Sequence, residues 1–183
     1  MSYSVSCCLT DAEKIKHLFG SKDISLFEKL AADLEDELEE LDNYFEDDID
    51  GAKISKSILR DLVINAEIRF PEYAFLYGYV YEKLCKYYGE RVFPPNDFAD
   101  YSTAYFGEVS DGHSTFIDIP APDDFPGILS IALENLSTER EKFLQLEKID
   151  GVDDEEVQLS KEDFRYLFDK AIAEKKSIVF FVY

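Results

Sequence analysis

The chain has 183 residues, with 40 acidic against 19 basic side chains, a formal charge of −21, 15 Phe, 12 Tyr and no Trp. That charge opposes direct contact with nucleic acid or an anionic membrane and favours basic proteins, polyamines or metal cations as partners. No apolar run approaches the ~18 residues of a membrane span, no basic n-region opens the chain, and Cys7, Cys8 and Cys85 give neither a disulfide framework nor zinc spacing. A cytoplasmic protein with a single domain over 1–183 is the expectation.

Tyr3 to Leu9 reads as a short strand with Cys7 and Cys8 on opposite faces. Thr10 with Glu13 forms a capping box for a helix carrying Ile15, Leu18 and Phe19, which stops at Gly20. Asp23, or Ser25 with Glu28, opens an acidic helix predicted over 23–47. Along it Phe27, Ala31, Leu34, Leu38, Leu41 and Phe45 recur at steps of four and three, marking one narrow apolar seam.

Eleven acidic residues and no basic one lie between Asp33 and Asp50. Asp33 and Glu37, Glu35 and Glu39, Asp36 and Glu40, and Asp42 and Glu46 are like-charge pairs at i,i+4, each opposing a helix by roughly 0.2–0.5 kcal/mol. The run therefore does not serve its own helix. It is a solvated face that keeps the protein soluble, or a surface for a cation-bearing partner.

Ser55 reads as the cap of the next helix, with Ile58, Leu59, Leu62 and Val63 on one face, and Pro71 as the first turn of another over 72–88. Phe75, Leu76, Tyr77, Tyr79, Val80, Tyr81, Leu84 and Cys85 surround that helix on nearly every side, so it passes through the middle of the fold. Its rings fill a core on this reading and form a binding groove on the competing one. Ser114 to Ile119 reads as a strand ended by Pro120, Ile128 to Leu136 and Thr138 to Leu146 as short helical stretches, and Asp150 to Glu156 as an acidic linker. Ser160 with Asp163 resembles the cap of a final helix over 161–175, and 177–183 is a buried strand. The class predicted is α+β, predominantly helical, with a small mixed sheet that includes the N- and C-terminal strands.

Chemistry-bearing residues are sparse. Asp111, His113 and Ser114 invite a hydrolase reading, but a triad needs its members to converge from separate elements. Cys85 on the most apolar helix fits a small core residue better than a nucleophile. Glu46 to Gly51 spaces Asp48, Asp50 and Gly51 like a calcium loop, yet Glu46 holds the first ligand position and Ser57 the twelfth, which excludes a tight EF-hand. No catalytic residue, metal set or cofactor is assigned.

Several segments together resemble a bacterial family of small cytoplasmic proteins described as a domain of unknown function. They are Met1-Ser2-Tyr3, 18–23 (LFGSKD), 58–63 (ILRDLV), Tyr77-Gly78-Tyr79 through Leu84-Cys85, 120–126 (PAPDDFP) and 178–183 (IVFFVY). The resemblance implies one compact domain and a bacterial cytoplasmic origin, and no activity, cofactor or site comes with it. The stretch from Asp33 to Asp50 is richer in carboxylates than the resemblance implies.

The functional expectation is an acidic protein-binding module, an immunity or inhibitor protein in kind, engaging a basic partner through Glu35, Asp36, Glu39, Glu40, Asp42, Glu46 and Asp47. A DNA mimic is its sharper form, since eleven charges over about 27 Å of helix approach the spacing of duplex DNA, roughly one per 1.7 Å. The alternative is a small hydrolase-like enzyme with a site near Asp111 and His113, beside the tyrosine-rich helix.

Overall fold

The computed structural model describes residues 4–98, 113–122, 126–149 and 152–183. Strands β1 (Val5–Thr10), β2 (Gly89–Val92), β3 (Gly127–Ile131) and β4 (Ser177–Val182) form one sheet of order β2-β1-β4-β3, so the first and last strands are central neighbours, as expected for this α+β chain. All three pairings are antiparallel, with Cys7 opposite both Val92 and Phe180. Among the described residues the parallel component is an isolated bridge between Ser114 and Leu129.

Side-chain alternation along the strands decides the layers. Val5, Cys7, Leu9, Ile178, Phe180 and Ile131 point to one side, where α6 (Leu136–Gln145) and α7 (Asp154–Glu174) cover them with Leu136, Phe143, Phe164, Leu167 and Phe168. Phe143 stacks on Phe180 at 5.8 Å and meets Phe164 at 4.9 Å. Cys8, Val179, Phe181 and Ile128 point to the other side, under helices α1 (Ala12–Leu18), α2 (Ile24–Asp33), α3 (Glu35–Tyr44), α4 (Ser55–Arg60) and α5 (Ala74–Tyr87). With both faces buried, β1 and β4 carry apolar residues on both sides instead of the usual apolar-polar alternation of an antiparallel sheet.

The helix predicted over 23–47 is two helices meeting at Leu34. Asp23 opens α2, its carboxylate accepting from the Leu26 N–H at 3.0 Å. Leu34 leaves helical geometry (φ −109°, ψ 14°), yet its N–H donates to Leu30 O at 3.0 Å and its carbonyl accepts from Leu38 N at 2.9 Å. The chain thus bends at Leu34 without proline or glycine, and both backbone groups of Leu34 stay bonded. The bend places Glu35, Asp36 and Glu37 in the first turn of α3, at the positive end of its dipole. Inside α3 the like-charge i,i+4 pairs reduce to Glu35/Glu39 and Asp36/Glu40, about 0.4–1 kcal/mol together. A straight rod of charge does not form.

Helix α4 continues as a π-helical turn over Asp61–Asn65. The Leu62 carbonyl accepts from Gly20 N (2.8 Å), and that of Val63 from Lys22 N (3.3 Å) and the Ser21 hydroxyl (3.2 Å). Asp61, fully buried, accepts from Arg69 Nε (2.5 Å), Asn65 Nδ2 (2.9 Å) and the Tyr77 hydroxyl (3.4 Å). Tyr77 in turn accepts from the Arg69 N–H at 3.1 Å. On the central helix the Tyr77 and Tyr81 rings are core, with Tyr81 bonded to the Ser130 hydroxyl (3.1 Å) and the Phe116 N–H (3.1 Å).

Other boundaries differ from expectation. Asp11, not Thr10, caps α1. The final helix begins at Asp154, seven residues before 161, because Asp153 caps it and three acids fill its first turn. Ser160 and Asp163 are interior to it, and the Asp163 carboxylate instead accepts from Asn96 N (2.8 Å), Asn96 Nδ2 (3.0 Å) and Phe98 N (3.0 Å). The stretch 128–136 is β3 followed by a 3-10 turn over Leu133–Asn135, since pairing with β4 outweighs a weak helical pattern. The strand expected over 114–119 contracts to the bridge at Ser114.

Two glycines test this packing. A Cβ on Gly89 would lie 1.9 Å from Leu9 O and 2.7 Å from Thr10 Cα, both backbone atoms of the central strand, whereas one on Gly51 meets nothing within 4 Å. Gly89→Ala therefore lowers stability by about 3 kcal/mol or more, and Gly51→Ala, at φ +68°, by about 1–2 kcal/mol, in urea melts. Equal effects would contradict the β1–β2 register.

Candidate functional site

The seam on α2 and α3 turns Phe27, Ala31, Leu34, Leu38 and Leu41 into the core, with Phe45 half-buried at its end. Glu35, Asp36, Glu39 and Glu40 on α3, with Glu46 and Asp47 in the turn beyond, are exposed. Lys53 lies 4.0 Å from Glu39, both side chains in solvent. Among the described residues no lysine or arginine comes within ion-pair distance of Glu35, Asp36, Glu40, Glu46 or Asp47. Their field is directed outward.

Asp42 does not belong with them. It is 5% exposed, and its Oδ1 accepts from Ser55 N at 2.9 Å and Ile54 N at 3.2 Å. It performs from a distance the capping predicted for Ser55, whose own hydroxyl is buried without a partner among the described residues. Asp33 is also engaged: Lys29 Nζ and the Tyr87 hydroxyl (2.5 Å) donate to it and hold its carboxyl below the ordinary carboxylate range. These two carboxylates fasten the run to α4 and α5.

Where α3 ends, a groove of about 740 Å³ opens between it, α5 and Tyr183. Tyr44 stands at its mouth, 79% exposed and edge-on to Phe45 at 4.8 Å. Phe45 packs on Tyr79 at 4.9 Å, and Tyr79 stacks on Tyr183 at 5.7 Å with 28° between the rings. Glu40 lines it one turn before Tyr44, and Glu82 one turn after Tyr79. The buried Glu82 carboxylate accepts from Lys86 Nζ at 2.7 Å and faces the Tyr183 hydroxyl, whose pKa burial and this carboxylate raise. Lys83 is the cation of the lining. Sequence reasoning found the carboxylates but missed this groove, although Tyr44 and Phe45 stand at the end of the seam and Tyr79 on the ring-rich helix.

A family model described as "Domain of unknown function (DUF7691)" matches residues 1–183. The chain belongs to the DUF7691 family. No curated protein and no solved structure matches it.

Of the residues considered for catalysis in this DUF7691 chain, His113, Ser114 and Cys85 are held by burial or by hydrogen bonds of the fold. Asp111 lies outside the described residues. His113 Nε2 is buried without a hydrogen-bond partner among the described residues, and burial lowers its pKa. The Ser114 hydroxyl donates to Ser130 O (3.3 Å) and accepts from Ser130 N (3.0 Å), so it holds the edge of β3. His17 Nδ1 lies 2.6 Å from the Glu13 carbonyl on its own helix. Burial pushes the Cys7 and Cys85 thiols well above their ordinary pKa and Cys8 up to about 12, which removes the thiolate a nucleophile requires. Among the described residues no group of three His, Cys, Asp or Glu side chains could hold a metal ion, and no helix is long and apolar enough to cross a membrane.

Asp42→Ala strands two buried N–H groups and lowers stability by about 2 kcal/mol, while Glu39→Ala and Glu40→Ala stay within about 0.5 kcal/mol of the parent in urea melts. Thiol titration with a disulfide reagent finds no reactive cysteine in the folded protein and all three after unfolding. One fast-reacting thiol in the folded state would restore a nucleophile reading.

Proposed function

We propose that this DUF7691 protein is a non-enzymatic binding module that captures a basic protein, in the manner of a small cytoplasmic immunity or inhibitor protein. Glu35, Asp36, Glu39, Glu40, Glu46 and Asp47 supply the field, and Asp42 drops out as a structural cap. The observation that carries this reading is the set of outward carboxylates, of which Glu39 alone has a lysine in reach (Lys53, 4.0 Å) among the described residues, beside a groove with an exposed aromatic ring. Solubility alone asks only for solvated charge, whereas here the charge adjoins a groove walled by the contacting rings of Tyr44, Phe45, Tyr79 and Tyr183.

A one-signed face raises encounter rates by roughly 10–10³ and acts within about a Debye length, near 8 Å at physiological salt. Association is therefore fast at low salt and slows steeply as salt rises. The combined reversal Glu35→Lys, Glu39→Lys and Glu40→Lys turns the Asp36/Glu40 repulsion into an attraction and exchanges the Glu35/Glu39 repulsion for one of like size, all at exposed positions, so the folded state survives it. Capture of basic proteins from the native host's lysate is lost in this variant, and the parent's capture weakens between about 0.05 M and about 0.5 M salt. Capture unchanged by the reversal would refute the proposal.

A further inference from the structure

We infer that the groove between α3 and α5 is the anchor pocket of this surface and receives an arginine side chain of the basic partner, an inference that rests on the capture proposed above. Three features of the groove attract a cation. The faces of Tyr44, Phe45 and Tyr79 carry the negative lobe of the ring quadrupole. The Glu40 carboxylate lies on the same wall without an ion-pair partner among the described residues. The last turn of α3 ends there, at the negative end of the helix dipole.

The chemistry favours arginine over lysine. A planar, weakly hydrated guanidinium stacks on aromatic faces, and the groove wall is a run of rings, Tyr44, Phe45, Tyr79 and Tyr183, in successive contact. An ammonium is a strongly hydrated point charge whose natural partner, the buried Glu82, is already occupied by Lys86. A volume of about 740 Å³ admits the side chain with flanking backbone. A second copy of this chain, with its own charge of −21, is a poor occupant.

The test titrates three short peptides against the full chain by calorimetry: arginine alternating with glycine, the same peptide with neutral citrulline, and the same with lysine. The arginine peptide binds, the citrulline peptide binds at least about tenfold more weakly, and lysine falls between. Tyr44→Ala, at an exposed position where folding is safe, weakens the arginine peptide about tenfold without changing its salt dependence, and Glu40→Gln weakens it as well. Lys83→Ala tightens it. Reversing Glu35 and Asp36, about 13 Å away along α3, instead flattens the salt dependence.

No binding of the arginine peptide, equal binding of citrulline, or indifference to Tyr44→Ala overturns the pocket. Binding that is abolished by reversing Glu35 and Asp36 but indifferent to Tyr44→Ala removes the pocket and leaves the acidic surface standing. Binding that needs Tyr44, discriminates against citrulline and ignores that reversal keeps the pocket and removes the steering.

Discussion

The antiparallel pairing of β1 with β4, from Val5 opposite Val182 to Thr10 opposite Ser177, joins the two ends of the described chain at the centre of a sheet whose faces are both covered. An antiparallel sheet can leave one face in water, and then half of its strand residues are polar. Here α1 to α5 cover one face and α6 and α7 the other, so apolar residues are drawn inward from both directions. Charged residues are thereby kept off β1, β3 and β4, and within the sheet only the edge strand β2 carries them, as the exposed Glu90 and Arg91.

Four carboxylates that do go inward act as fasteners. Asp42 joins α3 to the start of α4, Asp61 joins the π-helical turn to Arg69 and Tyr77, Asp163 joins α7 to Asn96 and Phe98, and Glu82, paired with Lys86 on its own helix, joins α5 to Tyr183. Each is buried and each has donors in reach, which is the condition for burying a charge at tolerable energy. The acidic run is therefore two populations. Asp33 and Asp42 are held by the body, while Glu35, Asp36, Glu39, Glu40, Glu46 and Asp47 face water and set the field outside the molecule.

Much of this was legible from residue spacing. The seam from Phe27 to Phe45 appears where the steps of four and three place it, and Asp23 caps where its side chain predicts. Asp42 could also have been read: Leu38 lies four residues before it and Phe45 three after, so it sits inside the apolar stripe, where a lone carboxylate needs donors. The bend at Leu34 left no local mark, because neither proline nor glycine makes it. The segment 127–131 is a short apolar run, which periodicity cannot assign to strand or helix; only pairing with β4 decides it. Asp163 and Ser160 imitate a helix start, but the acids from Asp153 to Glu156 are the stronger one, with a capping carboxylate and three charges at the positive end of the dipole.

The groove follows from how the seam ends. A helix that stops at the edge of its core leaves its last inward ring only partly covered, and Phe45 is covered by Phe75 and Tyr79. Tyr44, one residue earlier and about 100° around the helix, then points past that cover into water. The same termination that exposes Tyr44 sets the carboxylates of α3 along the adjoining face. Long-range charge governs how often a partner arrives, and ring contact governs how long it stays. A surface that has both within one short helix has the two physical requirements of a specific, fast-forming complex, and a merely solvated face has only the first.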